Sequence, residues 1–427
     1  MDNNAKTALV ATERPSNYDI KMNFSQLKQL FEALPDPRAN QPNLQYPLAA
    51  MLGAALVALL CNHLNELAIA QWLADQPLTI KQHLGFPTAK TPHQTTFNRL
   101  FSRLAIGPFE WALTRHFDPQ VVGTVRPRGS QAIAIDGKCQ RTRAKFKAAA
   151  ESEVSLNPSP GQGKATPCHL LTLFCHQLGV VLAQLALQNK EAELSVAPQL
   201  LGQIEWLGRV LTGDAIFCQR KLCAWVVEAG GDYFFAVKAN QPHLEDDLKL
   251  LFEAPSKAEV ARVGLEAPAP LQLTSARAAT KGHGRIEVRE ITASSELAEY
   301  ADWPYLAQVV EIRRWWQNAA GVIQQHRWLG VTSLPAQQAG LRRLLQLKRG
   351  HWGIENRLHW VRDVVFGEDK STLHKGSGPH LLAILRNIVL NLLRLSGHER
   401  ITQTLRANSR STSRALAILG FDLNGVL

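Results

Sequence analysis

Three acidic residues in this 427-residue chain occupy positions from which they could hold metal ions. Asp136 ends the apolar run of residues 131–135, Asp214 follows the apolar residues 209–211, and Glu355 lies in a segment with helical periodicity. Carboxylates suit hard cations such as Mg²⁺, and two such ions can activate water or a 3′-hydroxyl in phosphodiester chemistry. Each residue also has a structural interpretation, since aspartate beside glycine is common in turns and a helical glutamate commonly faces solvent.

Basic and aromatic side chains surround Glu355 in the sequence. On an α-helix, residues three or four positions apart share one face. Five residues follow this spacing, namely Lys348, His351, Glu355, His359 and Arg362. Trp352 and Trp360 would flank that face, and its cations suit a phosphate backbone beside a metal. We therefore predict that the four basic residues contact DNA, together with Lys138, two residues after Asp136.

A second DNA contact is predicted in the N-terminal part of the chain. Thr91 or Thr95 could cap a short helix, because threonine is a favoured N-cap residue. One face of this helix would carry Asn98 and Arg99. Such side chains could enter a DNA groove, and a solvated helix face is the alternative interpretation.

The composition favours a polyanionic partner. The chain has 47 Lys and Arg against 36 Asp and Glu, giving a formal net charge of +11 and a pI near 9.5. An excess of basic residues is the first electrostatic sign of a nucleic-acid-binding protein. The length suggests two or three domains, and a hydrophobic fraction of 45% allows large cores.

The same sequence gives no sign of secretion, a membrane span or a zinc site. The most apolar stretch, residues 47–60, is short for a membrane span and predicts a buried helix. The six cysteines form no Cys-x-x-Cys pair. Cys168-His169 and Cys175-His176 fit a strand better than a set of zinc ligands. We expect a cytoplasmic, nucleoid-associated protein.

The order of elements in the middle of the chain predicts the fold class. Residues 126–241 read as three strands, a helix, a strand, a helix and a strand, with Gln177-Leu178-Gly179 joining the second and third strands as a hairpin. One carboxylate lies on the first strand and another at the end of the fourth. A ribonuclease-H-like α/β domain has this order and these carboxylate positions.

The flanking segments complete the predicted organisation. An all-α, DNA-binding domain precedes the α/β domain, and a β-rich insertion divides it before the Glu355 helix and a closing apolar helix. The predicted segments are a flexible tail at 1–24, the helical domain at 25–125, the insertion at 242–334, the second part of the core at 335–400 and a C-terminal tail at 401–427.

Several short segments resemble a known family. They are residues 134–138 (Ala-Ile-Asp-Gly-Lys), 211–215 (Leu-Thr-Gly-Asp-Ala), 231–233 (Gly-Asp-Tyr), 238–241 (Lys-Ala-Asn-Gln), 282–287 (Gly-His-Gly-Arg-Ile-Glu) and 351–369 (from His-Trp-Gly-Ile-Glu-Asn). Through them the chain resembles insertion-sequence transposases of the H-repeat-associated group, within the ribonuclease-H-like Asp-Asp-Glu transposases. Residues 34–38 and 95–99 resemble the helical domain associated with that group.

The resemblance implies the chemistry of a bacterial DNA transposase. Asp136, Asp214 and Glu355 would bind Mg²⁺ or Mn²⁺ as the catalytic triad. The protein would cut the terminal inverted repeats of its element and join them to target DNA, as a homodimer on the DNA. No Gly-x4-Gly-Lys-Ser/Thr phosphate loop is present, so no nucleotide is expected to be needed.

The sequence departs from the wider superfamily around the glutamate. Many relatives carry Tyr, Arg and Lys where this chain has Lys348, His351 and Arg362, and the group's Lys-Ser-Asn-Glu run reads as residues 190–193, Lys-Glu-Ala-Glu. Two other functions stay open at this point. One is a transposase-derived DNA-binding protein without catalysis, and the other is a mononuclear metalloenzyme that uses His351, Glu355 and His359.

Overall fold

The computed structural model describes most of the chain. The described residues are 23–38, 44–122, 131–140, 168–187, 192–253, 271–282, 285–317 and 321–421. Residues 1–22 of the predicted tail and the loop predicted at 142–166 lie outside them.

The described α-helices are α1 (Phe24–Glu32), α2 (Leu48–Leu60), α3 (Glu66–Asp75), α4 (Leu78–Leu84), α5 (Gln94–Phe101), α6 (Ile106–Val122), α7 (Glu193–Leu201), α8 (Arg220–Glu228), α9 (Pro242–Glu253), α10 (Leu341–His351), α11 (Gly378–Leu395), α12 (Ile401–Ser409) and α13 (Thr412–Ile418). The described strands are β1 (Gln131–Gln140), β2 (Cys168–Cys175), β3 (Val181–Leu187), β4 (Arg209–Gly213), β5 (Asp232–Val237), β6 (Thr274–Gly282), β7 (Arg285–Ser294), β8 (Gln308–Gln317) and β9 (Ile323–Thr332).

The chain groups into two compact units. Of the described residues, unit 1 comprises 131–136 and those within Glu205–Trp352. Unit 2 comprises Asn17–Thr124, Gly137–Ile204 and Gly353–Leu427. The boundaries fall inside β1, after Asp136, and inside the Glu355 segment, after Trp352. The sequence predicted a separate N-terminal helical domain at 25–125. In the structure these helices group with residues 137–204 and 353–427 in unit 2.

The strands form a mixed nine-stranded sheet in the order β3-β2-β1-β4-β5-β9-β8-β7-β6. Strand β4 runs parallel to β1 and β5, whereas β2 and β3 form an antiparallel hairpin. The predicted hairpin is thus confirmed, and Gly179 has the positive φ of 71° that its turn requires. The helical region followed by this mixed sheet confirms the predicted α/β, ribonuclease-H-like class.

The segment expected as an insertion joins the same sheet in unit 1. It starts with a helix, α9, and its last strand, β9, pairs antiparallel with β5. Strands β8, β7 and β6 follow by successive antiparallel pairing. One face of these strands is apolar, through residues such as Ile291, Val310 and Trp328, and it packs with Leu344 and Leu347 of α10 in one hydrophobic cluster.

The core of unit 2 is built on two apolar helices. Every residue of α2 is buried, as are most residues of α11. Helices α1, α3, α12 and α13 pack against α2, so the predicted buried helix has the neighbours it needs. The tail expected after residue 400 is instead helical over α12 and α13. Among the described residues, no helix combines the length and apolarity needed to span a membrane.

The Glu355 segment departs from a regular α-helix. Helix α10 begins at Leu341 and ends at His351, before Glu355, although the sequence predicted that Glu355 lies on a helix. Ile354–His359 and Val361–Val365 are π-helical. A π-helix bonds each residue to the fifth one along, and its turns are wider than those of an α-helix. Glu355 and His359, four residues apart, remain neighbours in this segment, and the single face expected for all five residues stays a prediction.

Candidate active site

Asp136 and Asp214 lie at equivalent places on neighbouring strands of unit 1. Ala134 of β1 pairs with Thr212 of β4, and each aspartate lies two residues further along. Side chains two residues apart on a strand point to the same face. The two carboxylates therefore leave the same face, at the same end of a parallel strand pair. The backbone at Asp214 stays extended, with φ −70° and ψ 171°, which continues this direction.

The carboxylate of Asp214 is open to solvent and flanked by cations. Its side chain is 65% exposed, and His351 Nε2 lies 3.7 Å from its Oδ1. The other ring nitrogen of His351, Nδ1, is 3.2 Å from the hydroxyl of Thr212. The nearby His351 ring lowers the pKa of Asp214, although partial desolvation opposes this shift, and the charges of Lys238 and Lys348 lower the pKa further. Asp214 is therefore held as a carboxylate.

The turn after Asp214 is fixed by a motif to which sequence reasoning gave no role. Asp214 is followed by a single 3-10 turn, Ala215–Phe217. Asn240 Nδ2 donates a 2.7 Å hydrogen bond to the carbonyl of Ala215, and Gln241 Nε2 donates to the carbonyl of Cys218. The Lys-Ala-Asn-Gln segment thus supplies both the anchor of this turn and Lys238, one of the cations that act on Asp214.

Lys348 lies between two tryptophans in unit 1. Its Nζ is 4.9 Å from the ring centre of Trp328 and 5.6 Å from that of Trp352. Burial lowers the pKa of Lys348 to about 8, although the charge of Asp214 raises it. The ammonium group is therefore partly stripped of water and would gain from an anionic partner.

Glu355 lies in unit 2 with one histidine beside it. Its side chain is 51% exposed, and His359 Nδ1 is 3.5 Å from its Oε1, four residues along the π-helical segment. His359 itself is buried, and this burial lowers the pKa of its ring although Glu355 opposes the shift. A neutral imidazole beside a carboxylate is a donor pair that divalent metals accept. The DNA-contact prediction assumed that His359 presents a charged group to solvent, whereas its ring is buried.

Arg362 is the clearest departure from the predicted DNA contacts. It is fully buried in unit 2, and its guanidinium donates two hydrogen bonds of 2.6 Å to the carboxylate of Glu368, which is also fully buried. Arg386 Nη1 lies 3.6 Å from the same carboxylate. A guanidinium held in this way has no free face for a phosphate, and the structure argues against the predicted contact.

Lys138 is also engaged inside unit 2. Its Nζ lies 2.6 Å from Oδ1 of Asp363, and only 8% of its side chain is exposed. This ion pair ties the second half of β1 to the π-helical segment that carries Glu355. The sequence predicted that Lys138 contacts a DNA phosphate. In the structure Lys138 instead pairs with Asp363 and orients that segment.

Sequence reasoning missed a fourth carboxylate, that of Glu193, which lies next to Gly137 in β1. Glu193, at the start of α7, is buried, and its carboxylate packs where a Cβ on Gly137 would stand. Any larger residue at position 137, next to Asp136, would displace it. The Glu at the end of the Lys-Glu-Ala-Glu run was the available signal.

The predicted DNA-reading helix exists as α5, with a different cap. His93 accepts from the backbone N–H of Thr95, so neither Thr91 nor Thr95 is the N-cap residue. Arg99 is exposed and Asn98 is half-buried. This exposure is compatible with a DNA contact by Asn98 and Arg99, which remains a prediction.

Two family models match the chain. The model for the transposase DDE domain matches residues 127–392, and the model for its associated domain matches residues 28–117. The first of these regions contains Asp136, Asp214 and Glu355. The second contains α5.

Individual relatives are consistent with these matches. The chain is 30% identical over 288 residues to an uncharacterised protein of the dhlA 3′ region of Xanthobacter autotrophicus, covering 67% of the chain and 87% of that protein. It is 26% identical over 265 residues to the Escherichia coli "H repeat-associated putative transposase YhhI", covering 61% of the chain and 63% of that protein. The chain thus matches less than two thirds of the length of the second relative.

One solved structure aligns over most of the chain. It is the piggyBac transposase synaptic complex with hairpin DNA, at 11% identity, covering 94% of this chain and 79% of that one. Its TM-score of 0.38 is too low to establish a shared fold.

Proposed function

The chain belongs to the DDE transposase family, related to the H-repeat-associated transposases, and we propose that it cuts DNA at its element's ends and joins them to target DNA. The observation that carries this proposal is the placement of Asp136 and Asp214 at equivalent positions of two parallel strands. Glu355 completes the acidic set within the same matched family region.

Divalent metal ions are general in this family, and the donor chemistry of this chain suits them. We propose that Asp136, Asp214 and Glu355 hold Mg²⁺ or Mn²⁺. Within unit 2, Glu355 and His359 place a carboxylate beside an imidazole, which are ligands of the right type. Two ions bound by such a set would lower the cost of forming the attacking hydroxide or alkoxide and of releasing the leaving oxygen.

The remaining residues act on the carboxylates and on DNA. His351 holds the carboxylate of Asp214 through its Nε2, while Thr212 fixes the other side of the ring. Lys238 and Lys348 keep the region around Asp214 electropositive, which favours a phosphate. This pairing of His351 with Asp214 also disfavours the mononuclear site that would use His351, Glu355 and His359.

DNA is the proposed partner, and a homodimer on the DNA is the proposed assembly. The net charge of +11 favours a polyanion. Exposed Arg99 on α5 is a candidate groove contact in the associated domain. Nucleoid association would follow from DNA binding.

The test measures binding and cleavage on one labelled duplex that carries the element's terminal inverted repeat. Asp136→Asn, Asp214→Asn and Glu355→Gln should each lower cleavage by about a thousandfold or more, because metal charge stabilisation contributes several kcal/mol and each 1.4 kcal/mol is tenfold. Binding should persist or tighten slightly, since a negative charge that repels phosphate is removed.

A matched control is Asp246→Asn on α9. Asp246 has a side-chain exposure of 68%, close to the 65% of Asp214, and it also lies in unit 1. This variant should cut like the wild type. Full cleavage by Asp136→Asn would remove Asp136 from the mechanism. Binding without any cleavage by the wild type, with Mg²⁺ or Mn²⁺, would favour a DNA-binding protein without catalysis.

A further inference from the structure

Arg357, two residues after Glu355, holds the turn between β2 and β3. Its Nη1 donates a 2.8 Å hydrogen bond to the carbonyl of His176, and its Nη2 donates a 3.4 Å bond to that of Leu178. A methyl group on Gly179 would stand where the guanidinium lies. The glycine therefore leaves room for the guanidinium as well as supplying the positive φ of the turn. All of these residues belong to unit 2.

A second guanidinium, that of Arg394 on α11, joins the same contact. It donates hydrogen bonds to the carbonyls of Gly179 and Arg357. Burial, together with the positive charge of Arg357, lowers the pKa of Arg394 to about 9. Two neighbouring positive charges oppose each other, and the hydrogen bonds to four backbone carbonyls offset that cost. These two side chains, the arginine clamp, join the β2–β3 turn, the Glu355 segment and α11.

The arginine clamp acts on the stretch of chain that carries Glu355. The ion pairs of Asp363 and Arg362 hold the second π-helical stretch. Glu355 lies in the first stretch, Ile354–His359, where its side chain is 51% exposed. Within this stretch the side chain of Arg357 is fixed to the β2–β3 turn. Fixing the segment two residues from Glu355 sets the place from which its carboxylate projects.

We propose that Arg357 is a positioning residue for Glu355, and that its bonds to the β2–β3 turn hold the Glu355 carboxylate where it binds the metal ion. The inference rests on the proposed function, in which Glu355 is a ligand of Mg²⁺ or Mn²⁺. Groups that orient a metal ligand commonly change metal affinity by about tenfold to a hundredfold. Arginine suits this role because its planar fork reaches two carbonyls, whereas lysine carries a point charge.

The experiment measures Mn²⁺ binding to the full chain without DNA, from the electron paramagnetic resonance signal of free Mn²⁺, which is lost on binding. Arg357 is exposed, so Arg357→Gln should stay folded. It should raise the dissociation constant of the Glu355-dependent Mn²⁺ by about tenfold or more. Cleavage of the terminal-repeat duplex should then need correspondingly more Mn²⁺ and approach the wild-type rate at saturation, because the ligands themselves are unchanged. A variant that only loosened the fold would cut slowly at every Mn²⁺ concentration.

Three further variants decide whether Arg357 acts through Glu355. Arg406→Gln removes an exposed arginine of α12, also in unit 2, and should bind Mn²⁺ like the wild type. Arg357→Lys keeps the charge without the fork and should bind more weakly than the wild type. Glu355→Gln combined with Arg357→Gln should bind no more weakly than Glu355→Gln alone, because the two changes affect one ligand.

The outcomes separate the inference from the function on which it rests. Wild-type Mn²⁺ affinity in Arg357→Gln or in Arg357→Lys, or additive losses in the double variant, would overturn the positioning role. In each of these cases a loss of Mn²⁺ by Glu355→Gln would leave the proposed metal site intact. Equal Mn²⁺ binding by the wild type and Glu355→Gln would overturn the proposed metal site as well.

Discussion

Two charged clusters, one in each unit, contrast sharply in this protein. In unit 1 the side chain of Asp214 is 65% exposed, and the Nε2 atom of His351 lies 3.7 Å from its Oδ1. In unit 2 the carboxylate of Glu368 is fully buried and receives two hydrogen bonds of 2.6 Å from Arg362. Each cluster contains one of the basic residues that the sequence assigned to a single DNA-binding face, His351 in unit 1 and Arg362 in unit 2.

The contrast separates a group that can exchange partners from one that cannot. A contact with one exposed partner contributes little, because water competes for the exposed carboxylate. Asp214 can therefore leave His351 for a metal ion at small cost. A buried pair cannot be opened in this way, because separating it leaves an uncompensated charge in the interior. Open carboxylates are thus candidates for chemistry, and the Arg362–Glu368 pair is a structural element that holds the Glu355 segment.

The largest effect is expected on removing one partner of the buried pair. Glu368→Gln should lower the free energy of unfolding by about 3–5 kcal/mol, because Arg362 and Arg386 stay buried without their counter-charge. Burial raises the pKa of Glu368, but the charge of Arg362 outweighs it and brings the pKa down to about 2. Urea unfolding of the variant beside Asp246→Asn would measure the loss. A loss below about 1 kcal/mol would mean that the pair is not closed as described.

Another buried carboxylate of unit 2, that of Glu110, sharpens the comparison, because no Lys or Arg among the described residues forms an ion pair with it. Glu110 on α6 is buried, and Gln184 of β3 donates to its Oε1 at 3.4 Å. Burial raises its pKa from 4.5 to about 8, which hydrogen bonds from Gln184 and the Ala186 backbone only partly offset. The protonated acid is thus favoured by folding, in contrast to the ionised Glu368.

The sign of the resulting pH dependence follows from this raised pKa. The stability linked to Glu110 is fully present below pH 4.5 and is lost as the pH rises towards 8, by about 1.4 kcal/mol for each pH unit in that interval. Glu110→Gln should flatten the unfolding free energy between pH 5 and 8, measured by urea titration at several pH values. Equal slopes for variant and wild type would show that Glu110 is ionised in the folded protein.

The smallest effect is expected at the open cluster. Without metal, Asp214→Asn should change the free energy of unfolding by less than about 1 kcal/mol, because the Asp214 carboxylate is 65% exposed and its contact with His351 is long, at 3.7 Å. With Mn²⁺ the wild type should gain stability, by about 2.7 kcal/mol at a hundred times the dissociation constant, and the variant should gain less. Thermal unfolding with and without Mn²⁺ provides the measurement. Equal gains would argue against Asp214 as a ligand.

Local patterns were enough to predict several elements of the fold. The apolar run before Asp136, the turn at Gln177-Leu178-Gly179 and the uniformly apolar α2 were all identified from their own residues. Each depends on side-chain periodicity or on a glycine with positive φ, which are properties of a few consecutive residues. The two strand-end aspartates were located for the same reason.

The sequence by itself determined the strand and helix order and the candidate metal ligands, because hydrophobic periodicity and residue chemistry are local. Only the tertiary structure decided that β9 pairs with β5, that the Glu355 segment is π-helical and that Arg362 faces Glu368 rather than a phosphate. The pairing of β5 with β9 joins residues about 95 positions apart in the sequence, and burial decides whether a charge meets water, a ligand or a fixed partner. No local feature of a basic residue carries that information.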